Sequence, residues 1–229
     1  MERARSGRPL LAPSARPRAG VLLAGCVVLV AVLGILFARQ STADPFDRAV
    51  DSWVIAGFDG HQALALRLTS PGTTIPAVAL SVVIAGACLI TGRLRGAVLA
   101  VAAVPVAVGL CEVLVKPLVH RTYIGQVAYP SGHTATVFAL VATLTVLLLA
   151  SPRPAMPRWL RIVILAVAYL TAAAVVIGVI AVRFHYFTDT VAGAAVGTGT
   201  VCGLALVLDL VQPGSAGARW MAPTAKRAR

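Results

Sequence analysis

The sequence predicts an all-α fold: an integral membrane bundle of six transmembrane helices with both termini in the cytoplasm. Of the 229 residues, 59% are hydrophobic and only 12% are charged, whereas an average soluble domain carries about 25% charged residues. Six apolar segments approach the ~20 residues that a helix needs to cross the hydrocarbon core of a bilayer. Helices are expected because a helix satisfies its own backbone hydrogen bonds in lipid.

The six apolar segments alternate with polar connections. They cover residues 20–38, 74–91, 96–115, 134–150, 162–182 and 190–211. The first segment follows an Arg-rich stretch and ends near the residues QSTA, so a cleaved signal peptide is an alternative to a retained helix. Its apolar length of about 19 residues exceeds the 7–15 of a signal-peptide core, which favours the retained helix.

The basic residues indicate topology rather than nucleic-acid binding, although the net charge is +12. Fourteen of the 20 basic residues flank one side of the predicted bundle, the side with both termini. The positive-inside rule places that side in the cytoplasm and the opposite side outside. The chain then divides into a basic cytoplasmic N-terminal tail (1–19), a six-helix membrane domain (20–212) and a basic cytoplasmic C-terminal tail (213–229).

The connection between the first two segments contains an amphipathic stretch, DPFDRAVDSWVIAGFDG. Its apolar residues recur at helical spacing between aspartates: Phe46, Val50, Trp53, Val54 and Phe58. This pattern predicts a short helix on the outer membrane interface. Packing of the same helix over the bundle is an equally open alternative.

The four cysteines lie within apolar segments and show no spacing typical of a metal site. They are Cys26, Cys88, Cys111 and Cys202. We expect them to be small buried apolar residues, without a disulfide or a metal.

The outward connections bring several ionisable and polar side chains to one face of the predicted bundle. Segments three and four are joined by KPLVHRTYIGQVAYPSGH, and segments five and six by RFHYFTD. One membrane face therefore carries Lys116, His120, Arg121, Ser131, His133, Arg183, His185 and Asp189. Ionisable groups near a membrane are costly to bury and usually functional, so this cluster is the predicted site.

These residue types suit the binding and transfer of a phosphate group. Lys and Arg clamp phosphate oxygens, and Gly132 lets the backbone approach an anion. The N-terminus of the fourth helix favours the same anion, and Ser131 can donate a hydrogen bond to it. One His can attack phosphorus while an Asp fixes its tautomer, and a second His can protonate the leaving oxygen.

The positions of these residues relative to one another in the sequence support further predictions. His185 and Asp189 are four residues apart, which places them on one face of a continuous helix; a helix start at the Thr188-Asp189 pair, with a break between His185 and Asp189, is the alternative. Glu112 precedes Lys116 by four residues and is expected to pair with it. Ser131 has the alternative role of a helix N-cap. Separately, Asp209 is expected to meet a cytoplasmic Arg.

Three of these motifs resemble the signature blocks of the type-2 phosphatidic acid phosphatase superfamily. KPLVHR, YPSGH and HYFTD are similar to Lys-x6-Arg-Pro, Pro-Ser-Gly-His and Ser-Arg-x5-His-x3-Asp. The resemblance covers roughly residues 20–212. It implies that His185 is a nucleophile that forms a phosphohistidine, that Asp189 supports it and that His133 is the general acid. It also implies no metal and no other cofactor, and phosphate binding by a further set: Lys116, Ser131 and Gly132.

Two blocks depart from the family pattern. The family's Arg-Pro falls at Tyr123 and Ile124, while Arg121 lies two residues earlier, where many members carry an additional Arg. The family's second Arg falls at Val179, while Arg183 lies four residues later, one helical turn closer to the site if the helix continues. We expect Arg121 and Arg183 to bind phosphate instead. A lipid-headgroup contact is the alternative for Arg183.

Together these features predict a metal-independent membrane phosphatase that faces outward from a bacterial cell membrane. Its expected substrate is a lipid phosphate or polyprenyl diphosphate within the bilayer. The candidates are undecaprenyl diphosphate, phosphatidic acid and phosphatidylglycerol phosphate, and no nucleic-acid partner is expected. Two alternatives remain, a pseudoenzyme that binds lipid phosphate without turnover and a phosphotransferase that uses a lipid or sugar acceptor.

Overall fold

The computed structural model describes residues 9–149 and 156–211, and helices dominate these ranges. The helices are α1 Arg16–Leu36, α2 Pro45–Gly57, α3 Gln62–Thr69, α4 Thr74–Ile90, α5 Leu94–Gly109, α6 Lys116–Val119, α7 Gly132–Leu149, α8 Arg158–Ala181 and α9 Phe187–Leu210. A π-helical segment, Leu110–Val115, joins α5 to α6. Two short antiparallel strands follow, β1 Thr122–Tyr123 and β2 Gln126–Val127. The predicted C-terminal tail and the first eight residues of the N-terminal tail lie outside the described ranges.

Five helical stretches within these ranges are long and apolar enough to cross a membrane. They are Pro13–Leu36, Leu94–Val119, Gly132–Leu149, Arg158–Ala181 and Phe187–Leu210. The predicted second segment is α4, which forms a pair with Gln62–Gly72 that is bent by 40°. If that pair counts as one span, the total is six. The all-α, multi-pass prediction is therefore confirmed, while the number of spans and the orientation of the termini stay predictions.

Helices α7 and α9 pack against each other at the centre of the bundle. They approach at backbone distance because α9 presents glycines to α7: a Cβ on Gly193 or Gly197 would overlap the carbonyl oxygen of Ser131 or Ala135. Helices α5 and α8 flank α7, α1 lies against α9, and α4 pairs with α5. The close packing brings together the N-termini of α7 and α9, where the Ser131 N–H donates to the Asp189 carbonyl at 2.9 Å.

Helix α2 packs on α8 and α9 with its acidic side inward. Asp47, Asp51 and Val54 are buried, whereas the side chains of Phe46 and Trp53 are mostly exposed. The structure thus favours the predicted alternative in which this helix covers the bundle. Burial of aspartates requires partners, and these partners belong to the candidate site.

The far end of α9 carries a second buried carboxylate, Asp209, which holds the N-terminal segment. Its two oxygens accept the backbone N–H groups of Leu10 and Leu11 at 2.7 and 2.9 Å. Arg95 and Arg16 lie 3.4 and 3.7 Å from the same carboxylate, which confirms the expected Arg partner. Helix α1 begins at Arg16, so the last part of the predicted N-terminal tail packs on the bundle.

All four cysteines lie in the described ranges, and all four are buried and free. Their predicted burial is confirmed. Each lies in a helical segment, and Cys26 fits against Gly199 at the contact between α1 and α9, which is a packing role.

Candidate active site

A cavity of about 1090 Å³ lies between α4, α5, α7 and the connection from α8 to α9. Its polar part is lined by Lys116, Gly132, His133, Arg183, His185 and Glu112. Its remaining wall is mainly apolar and comes largely from α4 and α5, with residues such as Val78, Val82, Val101 and Val104. A polar pocket that continues into an apolar wall suits an amphiphilic ligand.

The two predicted catalytic histidines lie close together in this cavity. His133 lies in the first turn of α7, His185 lies in the connection that precedes α9, and their ring centroids are 6.4 Å apart. Burial of His185, together with the charges of His133 and Lys116, lowers the pKa of His185 to about 3. Its imidazole is therefore neutral near pH 7, as a nucleophile requires.

Asp189 lies behind His185, at the start of α9. The helix begins at Phe187 and Tyr186 is its N-cap, so the helix starts between His185 and Asp189. This confirms the alternative in which the two residues do not share one continuous helix. One oxygen of Asp189 accepts the Tyr186 N–H at 3.0 Å and lies 4.0 Å from Nδ1 of His185. Nδ1 is buried without a hydrogen-bond partner, and catalytic hydrogen bonds often tighten only when substrate binds.

Arg121 lies away from the cavity, in a buried ion network. Its side chain is 0% exposed and donates to Asp47 at 2.6 Å and to Asp189 at 2.8 Å. The guanidinium lies 4.2 Å from the ring centroid of Phe37 and 4.4 Å from that of Tyr186. Its charge is thus shared by two buried carboxylates, with a third carboxylate, that of Asp44, 4.0 Å away, and aromatic rings cover the guanidinium. The structure does not bring Arg121 together with the predicted phosphate-binding residues that line the cavity.

Lys116 lies in the cavity with its predicted partner. Its ammonium group is 2.6 Å from Glu112 at the i,i+4 spacing, so the expected pair is confirmed. Glu112 belongs to the π-helical segment, a type of distortion that is frequent at functional sites. Its Oε1 lies 3.2 Å from the position that a Cβ on Gly132 would take. A glycine at 132 therefore lets the Glu112 carboxylate lie over the turn before α7.

Ser131 lies behind the cavity, in the turn that precedes α7. It is fully buried, and its hydroxyl accepts from Thr134 N–H at 3.4 Å and from the Thr134 hydroxyl at 3.1 Å. This is the geometry of the N-cap alternative. The backbone of Gly132 and the ring of His133 face the cavity instead.

Arg183 lines the cavity, although for a different reason from the one expected. Helix α8 ends at Ala181, and Arg183 has the left-handed φ of 60°. The N–H groups of Arg183 and Phe184 donate to Ile180 and Val179 at 2.8 and 2.9 Å, which is a Schellman helix end. The expectation that positions 179 and 183 share a helix face is therefore wrong.

The two positions at which the family's arginines are missing differ in environment. Val179 is buried in an apolar cluster with Val137 and Val175, where a charged side chain would lack a partner. Tyr123 and Ile124 line the cavity, so an uncharged surface stands where the family pattern has Arg-Pro. His120, in contrast, is exposed and is not part of the cavity lining.

The contribution of α2 to the site was not predicted from the sequence. Asp47 accepts from the Thr188 N–H at 2.9 Å, and Asp51 accepts from the Phe187 N–H at 3.1 Å. A signal was present, because Asp44, Asp47 and Asp51 are spaced by three and four residues and so lie on one helix face. That face caps the first turn of α9.

These features define a class: a multi-pass membrane protein whose cavity joins two histidines to two cations and an apolar wall. A family model described as the PAP2 superfamily matches residues 21–211, and the chain belongs to this superfamily. Membership supports a phosphatase, because the superfamily generally hydrolyses phosphate esters. No curated protein and no solved structure matches the chain.

Proposed function

We propose that the protein hydrolyses a phosphate or diphosphate group on a lipid, through a phosphohistidine on His185, at the extracytoplasmic face of a bacterial cell membrane. The observation that carries this proposal is the cavity itself. Its polar part holds His133, His185 and Lys116, and its wall along α4 and α5 is apolar. The wall would bury the hydrocarbon part of a lipid while the phosphate lies among the polar residues.

Phosphate binding falls to the residues that line the polar part. Lys116 and Arg183 supply positive charge to the cavity from two different elements, α6 and the α8–α9 connection. The first N–H groups of α7, at Gly132 and His133, have no partner within the helix and favour an anion. Arg121 and Ser131 act behind this surface, by fixing Asp189 and the turn before α7.

The reaction follows from the two histidines. The neutral His185 ring attacks phosphorus, the bond from phosphorus to the leaving oxygen breaks, and His133 gives that oxygen its proton. Asp189 stabilises the positive ring that forms. Water then attacks the phosphohistidine, His133 takes a proton from this water, and inorganic phosphate leaves with His185 restored. Lys116 and Arg183 stabilise the negative charge of the phosphate during the reaction, and the proposed reaction uses no metal.

The test is phosphate release by the full chain purified in detergent, with a chelator present. The lipids are undecaprenyl diphosphate, phosphatidic acid and phosphatidylglycerol phosphate. We expect release from at least one lipid, abolished in His185→Ala and retained in the control His61→Ala, which removes an exposed histidine that does not line the cavity. Binding without release would overturn the proposal in favour of a pseudoenzyme. Product that appears only with an added lipid or sugar acceptor would identify a phosphotransferase.

The proposed orientation has its own test. His61 lies in the exposed turn between α2 and α3, and the four native cysteines are buried. A His61→Cys variant therefore offers one accessible thiol. We expect a membrane-impermeant maleimide to label it in intact spheroplasts, and labelling only after permeabilisation would reverse the topology.

A further inference from the structure

Asp47 is a fully buried carboxylate that lies outside all three sequence motifs. One of its oxygens accepts from Arg121 at 2.6 Å and from the Thr188 hydroxyl at 2.8 Å. The other accepts from the Thr188 N–H at 2.9 Å. Burial of a carboxylate is unfavourable unless its oxygens are well partnered, and here both are.

A short chain of contacts leads from Asp47 to the nucleophile. Arg121 bridges Asp47 and Asp189 through its two terminal nitrogens, at 2.6 and 2.8 Å. The second oxygen of Asp189 lies 4.0 Å from Nδ1 of His185. The rings of Phe37 and Tyr186 cover the guanidinium, so the bridge has little freedom to rearrange.

The charge count of this chain explains why a second carboxylate is useful. One guanidinium beside one carboxylate would neutralise it in a buried environment. Because Asp47 shares the charge of Arg121, the group of three retains one net negative charge. A third carboxylate, Asp44, lies 4.0 Å from the guanidinium at the partly exposed edge of the group and adds to this negative charge. That charge lies next to the ring of His185, which becomes positive when its other nitrogen bonds to phosphorus.

We propose that Asp47 is a positioning residue for His185. It acts through Arg121: it keeps the guanidinium from neutralising Asp189 and holds the Asp189 carboxylate beside Nδ1. The effect on turnover rests on the function proposed above, whereas the effect on the reactivity of His185 does not. Asp47 does not touch the cavity, so substrate binding is left to Lys116 and Arg183.

The chain offers a matched control in Asp51, one helical turn further along α2. Asp51 is also buried and also accepts an N–H group of the first turn of α9, from Phe187 at 3.1 Å. It makes no hydrogen bond to Arg121. Asp47→Asn and Asp51→Asn therefore disturb the docking of α2 on α9 in similar ways, but only Asp47→Asn removes charge from the bridge.

The first readout is steady-state kinetics on the lipid that the wild type hydrolyses. We expect Asp47→Asn to lower kcat on the order of 10- to 100-fold, the effect of losing a residue that orients a functional group through another residue. KM should stay within about twofold, because the variant keeps the contacts that bind substrate and transition state equally well. Asp51→Asn should leave both constants near wild type. Equal losses in both variants, or a change confined to KM, would overturn the proposal.

The second readout needs no substrate. Diethyl pyrocarbonate modifies neutral imidazole, and mass spectrometry can follow His185 with His133 of the same cavity as the internal reference. We expect the modification rate of His185 relative to His133 to fall severalfold in Asp47→Asn and to stay constant in Asp51→Asn. An unchanged ratio in Asp47→Asn would refute the positioning role. An inactive wild type with the changed ratio would refute the phosphatase alone.

A further variant covers the case in which Asp47→Asn does not fold. Arg121→Lys keeps a buried cation but lacks the planar fork that reaches two carboxylates at once. The same fall in kcat with constant KM, and the same fall in the His185 modification ratio, are expected. Wild-type values of kcat and of the His185 modification ratio would contradict the proposed role of Arg121 as a bridge between Asp47 and Asp189.

Discussion

Lys116 and Arg121 are five residues apart in one motif, but their side chains lie in opposite environments. Lys116 lines the cavity and pairs with Glu112, whose side chain is 46% exposed. Arg121 is 0% exposed and lies between two carboxylates that are equally buried. An ion pair in contact with solvent opens readily, so Lys116 is free to receive an anion. A buried pair does not open, and Arg121 serves to hold other groups.

The largest expected effect is on folding, in Arg121→Met. Removing this cation leaves Asp47 and Asp189 buried without their partner, and breaking a buried pair typically destabilises by about 3–5 kcal/mol. We expect loss of folded protein, measured as a fall in thermal stability and in the yield of monodisperse protein in detergent. A normal melting temperature would show that the network is not structural.

The next effect is on binding, in Lys116→Met. The pair with Glu112 is partly exposed and contributes only about 0–1 kcal/mol, so the melting temperature should stay near wild type. A hydrogen bond to a charged group contributes about 1.5–3 kcal/mol, which predicts about a 10- to 100-fold rise in the inhibition constant of inorganic phosphate. Unchanged inhibition with normal folding would remove Lys116 from the phosphate site.

A smaller effect of opposite sign is expected in Glu112→Gln. This change removes a negative charge from the cavity and releases Lys116 from its 2.6 Å pair. Phosphate should bind severalfold more tightly, because the anion no longer competes with a carboxylate. Competitive inhibition by inorganic phosphate measures this, and weaker inhibition would mean that Glu112 is needed to place Lys116.

The smallest effect is a pH dependence at the edge of the buried network. Burial, with the neighbouring charge of Asp47, raises the pKa of Asp51 to about 7. The fold therefore favours the protonated form, and this contribution to stability is lost as pH rises from about 4 to about 7. The depressed pKa of His185 gives the opposite trend, since its neutral form is favoured and stability falls as pH drops below about 6.5.

The difference between Asp51→Asn and wild type isolates the aspartate, because the His185 contribution is common to both. The melting temperature of the variant minus that of wild type should increase from pH 5 to pH 8. Asn retains a carbonyl oxygen for the Phe187 N–H. A difference that stays constant across this range would show that Asp51 is ionised in the folded protein throughout it.

Local features of the site could be predicted from the sequence, and long-range ones could not. The pair of Glu112 and Lys116 follows from a spacing of four residues, and the multi-pass helices follow from apolar length. The network of Arg121 joins residues separated by 74 and 68 positions, and no local pattern specifies which carboxylate a buried Arg will meet. The aspartates on one face of α2 could have indicated a buried network. The sequence does not show which helix this face packs against, so their role could not be predicted.

The end of α8 could not be predicted from local sequence patterns either. A left-handed residue after a helix is usually glycine or asparagine, and the sequence has Arg183 there. The surrounding connection, which must return the chain to α9 within five residues, imposes the turn. Tertiary structure thus brings Arg183 to the cavity by a route that helical periodicity does not predict.

Helix α9 has a buried carboxylate near each end, and this arrangement predicts a sensitivity to bilayer thickness. Asp189 and Asp209 are about 20 residues apart, on the order of 30 Å along a helix, which matches the hydrocarbon core of a typical bilayer. One carboxylate is tied to Arg121 and the other to the N-terminal segment and α5. In a thinner bilayer α9 cannot fray at either end without breaking these ties, so the helix and its partners must tilt together. Lipid composition would then act on the site through the tilt of the whole bundle.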